Sequence, residues 1–109
     1  MNAYHYFADL GKEIEPPTDG ILTRTLHQDE RLKVVLFGFS AGQELSEHTA
    51  ASPAIMHFVR GEADVTLGAE KMAAGANSWF HMPPQMPHSV VARAPVVMLL
   101  LLLKSPQGA

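Results

Sequence analysis

Apolar and polar positions change over along this chain in short blocks, and the blocks have the period of strands rather than helices. Ala63-Asp64-Val65-Thr66-Leu67 alternates cleanly, which places Asp64 and Thr66 on a solvent side and the other three inward. Leu32 to Phe39 and Val96 to Lys104 are instead apolar at almost every position, the pattern of strands buried on both faces. Between them Ile21–His27, Glu44–Thr49, Ala54–Val59, Ser78–Met82 and His88–Arg93 also read as strands. Pro16-Pro17-Thr18-Asp19-Gly20, Ser40-Ala41-Gly42-Gln43, Gly75-Ala76-Asn77 and Ala94-Pro95 are breaks. Gly61-Glu62 reads as a hairpin after Val59-Arg60, and Gly68-Ala69-Glu70-Lys71 as a second hairpin turn. Some seven to nine strands, with turns about every eight to twelve residues, predict an all-β antiparallel sandwich or barrel. The chain divides into an arm over residues 1–19, a barrel over 20–104 and a polar tail over 105–109.

Composition narrows the functional classes. The 109 residues suffice for one domain with a single core. Cysteine is absent, which excludes disulfides, thiolate metal sites and cysteine nucleophiles. A net charge of −3 without a Lys/Arg cluster leaves no footprint for nucleic acid or an anionic membrane, so a small-molecule ligand or a protein partner is expected. The longest apolar run, Val96–Leu103, is far below the ~20 residues of a membrane helix, and Met1-Asn2-Ala3-Tyr4-His5 has no signal-peptide character, so a cytoplasmic location is expected. The two apolar strands offer more buried-type surface than one small barrel encloses, which predicts a homodimer packed through an outer face.

Candidate chemistry centres on histidine. His48 and His88 lie about forty residues apart, each beside a strand, as two facing positions at a barrel mouth would. His57 and His81 sit on neighbouring strands, and either would complete a set of three imidazoles if it pointed inward. Alternation from Ala54 turns His57 outward unless a bulge intervenes, and leaves the face of His81 open. Met56, Phe58 and Met86, with Met82, Trp79 and Phe80, supply an apolar lining for a substrate pocket, and Gln85 and Ser89 supply hydrogen-bonding groups. Glu44 and Glu47 read as a solvated edge. No serine stands in a glycine-framed elbow, and no phosphate loop or carboxylate pair is present.

From about Gly20 to Lys104 the chain resembles a small single-domain cupin, a double-stranded β-helix or jelly-roll barrel. The first cupin motif has a glycine, five residues and His-x-His, then a glutamate and a closing glycine. Gly42, His48 and Gly61 match it. The second has a glycine, five residues, Pro-x-Gly, two residues, a histidine and an asparagine four further on. Pro83 and His88 fall in register, with Asn77 in the place of the leading glycine unless Gly75 serves with a longer turn. Ala50 and Ala54 stand where the second histidine and the glutamate would be, Gln85 replaces the glycine, and Ala92 stands at the asparagine position. The resemblance implies a divalent metal (Fe, Ni, Zn or Mn) held by His48 and His88 with His57 or His81, and dioxygenase- or isomerase-like chemistry on a small, partly apolar molecule. The missing ligands favour the alternative of a metal-free, non-catalytic binding or sensing cupin. Dimerisation through a sheet face is also common among the small cupins it resembles.

Overall fold

A computed structural model describes residues 3–104, and the predicted tail over 105–109 lies outside them. A short 3-10 turn, Leu10–Lys12, is followed by nine strands: β1 (Ile21–Gln28), β2 (Leu32–Phe39), β3 (Glu44–His48), β4 (Ala54–Arg60), β5 (Ala63–Leu67), β6 (Glu70–Ala74), β7 (Trp79–Met82), β8 (His88–Ala92) and β9 (Val96–Leu103). They form two antiparallel sheets, a five-stranded one in the order β1-β2-β9-β4-β7 and a four-stranded one in the order β3-β8-β5-β6. The all-β antiparallel jelly roll expected from the pattern is thus present. None of the described helices is long and apolar enough to cross a membrane.

Two turns differ from their reading in the sequence. Gly61-Glu62 is not a hairpin, because β4 and β5 belong to different sheets. It is a corner at which the chain changes sheet, and it is stacked on another such corner, Arg93-Ala94-Pro95, with the Arg93 amide donating to the Glu62 carbonyl at 2.8 Å. Gly68-Ala69-Glu70-Lys71 is too long a turn. Gly68, at φ +60°, and Ala69 suffice to reverse the chain, and Glu70–Ala74 pairs with β5 as a strand from Leu67↔Glu70 to Ala63↔Ala74. The small, mixed residues of β6 hide its strand character.

The core lies between the sheets. Phe39, Met56, Phe58, Val65, Met82, Val90, Val96 and Met98 are each at most 1% exposed. A second cluster lies on the outside of the five-stranded sheet, where Ile14 of the arm covers Leu36, Val97 and Leu99, with Leu10 and Val59 beside it. The arm therefore packs on its own barrel, and these outward apolar positions of β2 and β9 are buried without a second subunit.

The β1–β2 connection is set by one carboxylate. Asp29 accepts from the Arg31 and Leu32 amides at 2.8 and 2.9 Å and from His27 Nε2 at 2.7 Å, while the His27 ring lies 4.2 Å, centroid to centroid, from His5 of the arm. The His27 hydrogen bond, then that of the Arg31 amide, hold the Asp29 carboxyl down at about 2, against an ordinary 3.8. A carboxyl depressed by folding stabilises the fold fully above its unfolded value, and that contribution is lost as pH falls from about 4 through about 2. Asp29→Asn is expected to lower the melting temperature at pH 7 and to flatten its fall over that acid window. Melting curves from pH 7 to pH 2 check this, and an unchanged acid limb would refute it.

Candidate functional site

His48 ends β3 and His88 begins β8, and the two are cross-strand partners at the same end of the four-stranded sheet. Their rings lie 4.1 Å apart, centroid to centroid, inclined at 58°. His88 is buried, at 6% exposure, and His48, on the sheet's edge strand, is exposed. A bulge brings them together. Leu45 pairs with Val90 and His48 with His88, so three steps along β3 match two along β8. Leu45 packs on the core, and strict alternation would turn residue 47 inward and His48 away. The extra residue reverses that and aims His48 at the inward-facing His88, a device common beside binding sites.

The tautomers follow from the partners. The Nδ1 of His48 lies 2.8 Å from the Ser46 carbonyl and that of His88 lies 2.8 Å from the Met86 carbonyl. A carbonyl oxygen only accepts, so each Nδ1 carries a proton and donates it, leaving Nε2 as the acceptor of the neutral ring. Among the described residues no buried side-chain polar atom lacks a partner, so Nε2 of the buried His88 is not walled off from the mouth. Two loops frame the pair, and the Gln85 amide joins them by donating to the Ala50 carbonyl at 2.8 Å.

The other predicted residues are placed differently. His57 pairs with Trp79 and His81 with Ile55, all on the outer face of the five-stranded sheet, since the intervening Ala54, Met56, Phe58 and Met82 are the buried ones. Neither His57 nor His81 therefore joins His48 and His88, because period-two alternation directs them away from the interior. Trp79, 58% exposed, is likewise outside, and Ser89, between inward His88 and Val90, faces outward. Met56 and Phe58 are core rather than lining: at 1% and 0% exposure they fill the barrel interior, which is narrow enough for large side chains to close it. Gln85 and Met86 do stand at the rim, exposed and half-buried respectively. Leu67, opposite His88 and partly buried against the core, is an apolar neighbour of the pair that the sequence reading missed. Its alternation with Val65 was the available signal. Asp64 takes the solvent side as expected and pairs with Arg93 at 3.2 Å.

The donor set does not fit a resident metal. Among the described residues no group of three His, Cys, Asp or Glu side chains is placed to hold an ion, and a closed or catalytic site ordinarily draws on three or more. Ala54 faces inward at 2% exposure, where a carboxylate would be needed.

No family model matches the sequence, and a search of curated proteins finds no match. Solved structures do match. A conserved protein of unknown function from Streptococcus pyogenes is 28% identical, with a TM-score of 0.84 over 95% of this chain and 91% of that one. A cupin superfamily protein from Desulfitobacterium hafniense is 22% identical, with a TM-score of 0.86 over 94% of each chain. KdgF from a Halomonas species is 25% identical, with a TM-score of 0.72 over 79% of this chain and 81% of that one. The chain is a small barrel of the cupin fold.

Proposed function

We propose that this protein is a small-molecule-binding cupin in which His48 and His88 anchor a hydroxylated, partly apolar ligand at the barrel mouth without a resident metal. The observation that carries this reading is the pair of rings 4.1 Å apart with both Nδ1–H groups committed to backbone carbonyls. Two neutral Nε2 acceptors side by side suit two hydroxyl donors on neighbouring carbons. The half-buried Met86 and Leu67 offer the apolar side of the contact. Holding each Nδ1–H on a carbonyl fixes ring orientation before the ligand arrives, which lowers the cost of ordering on binding.

The test is a screen of diols, sugars, phenols and hydroxy acids by thermal shift, followed by ¹⁵N spectra of the imidazoles, on untagged protein and on His48→Ala and His88→Ala. Compounds with adjacent hydroxyls are expected to shift the Nε2 resonances of both rings. Each variant is expected to bind them about ten- to a hundredfold more weakly, the loss of one or two buried hydrogen bonds. Metal content is measured on the same samples after exposure to iron, nickel, zinc and manganese. Near-stoichiometric metal that disappears in both variants would overturn the metal-free reading, and a panel with no response at either ring would overturn the site.

A further inference from the structure

Gln85 has a positive φ, +68°, a conformation that costs a side chain with a Cβ and costs glycine nothing. The residue follows Pro84 in a turn closed by the Met86 amide and the Pro83 carbonyl at 3.4 Å, the arrangement of a type II turn, whose third position favours glycine or asparagine. Asn77, the other non-glycine residue at positive φ among the described residues, is a type that tolerates it. Glutamine has no such tolerance, and strained residues of this kind gather at ligand sites.

The strained turn is also the one that builds the site. Its Met86 carbonyl takes the Nδ1–H of His88, and its Gln85 amide holds the Ala50 carbonyl, two residues beyond His48. The Gln85 backbone thus links both histidine-bearing segments, and its side chain is exposed at their rim. Glycine would make the same backbone bonds with less strain, so the backbone does not explain the glutamine. What glutamine adds is a carboxamide.

We infer that Gln85 is a specificity residue, with its carboxamide NH₂ donating to a carbonyl oxygen on the ligand that His48 and His88 hold by its adjacent hydroxyls. The inference rests on the reading of the histidine pair as the ligand anchor and names its ligand class more closely, as a hydroxy-carbonyl compound. An Nε2 that accepts from a hydroxyl cannot also donate to a carbonyl oxygen, and the Gln85 carboxamide is a donor at the rim that can.

The probes are methyl glycerate and 3-methoxy-1,2-propanediol, which share two adjacent hydroxyls and differ in one position, a carbonyl in place of a methylene. Their affinities are read from His48 and His88 imidazole shifts in the full-length protein and in Gln85→Gly. Wild type is expected to prefer methyl glycerate by about tenfold, one hydrogen bond's worth. Gln85→Gly is expected to lose that preference and to melt no lower. A preference that survives in Gln85→Gly would overturn the role of Gln85 and leave the histidine site standing, and so would a lower melting temperature. If neither probe moves either imidazole in wild type, the reading of the site fails and the inference falls with it.

Discussion

Gly61→Ala is expected to destabilise the protein by about 3–5 kcal/mol, a large share of the roughly 5–15 kcal/mol that holds a domain of this kind. Two costs combine. Gly61 has φ +97°, where any Cβ is strained. That Cβ would also run into the Pro95 carbonyl oxygen and come within 2.8 Å of Val96 Cα and 2.9 Å of Val96 Cγ2. The obstacles are mainly backbone, and they belong to the β8–β9 corner, where the chain also crosses between sheets, so relief requires prising two corners apart. Gly68→Ala is the control, for Gly68 is also at positive φ, +60°, but has nothing within 4 Å of an added Cβ. It is expected to lose only about 1–2 kcal/mol. Urea unfolding of the two variants separates strain from collision, and equal losses would show that the stacked corners do not constrain position 61.

Phe58→Ala is expected to cost about 3–5 kcal/mol with little change in binding at the mouth. The ring is fully buried and meets Phe80 edge to face, with centroids 5.9 Å apart. Truncating it would leave a void lined by both sheets, where neighbours held in paired strands relax only in part. Met86→Ala is the complementary case. That side chain is half-buried at the rim, so its loss is expected to weaken ligand binding several-fold at a stability cost below about 2 kcal/mol. Unfolding curves and ligand titrations on both proteins check the division. A stable Phe58→Ala protein with altered affinity would return Phe58 to the pocket.

Strand positions were legible because burial on a pleated surface leaves its period in the residues. Ala54, Met56 and Phe58 alternate with Ile55 and His57, and the alternation alone turned His57 outward, as the structure has it. His81 was undecided because a four-residue strand next to two prolines has too few positions to show a phase. The same rule gives the wrong face for His48, since one extra residue between Leu45 and His48 reverses the phase and nothing in Leu-Ser-Glu-His announces a bulge. The arm's role was hidden for a different reason. Ile14 and Leu10 bury against strands far along the chain, and a two-faced apolar strand looks the same whether its outer face meets an arm or another subunit.

By itself the amino-acid sequence determined the strand spacing, the fold class, the absence of thiol chemistry and the two histidines worth pairing, because each depends on local composition or on period along the chain. Only the tertiary structure decided that the Gly61 turn joins two sheets, that His48 faces His88, that Met56 and Phe58 are filling rather than lining, and that no third ligand among the described residues reaches the mouth. Those are contacts between segments tens of residues apart. They are set by sheet register and by corner packing, which a strand's own pattern does not encode.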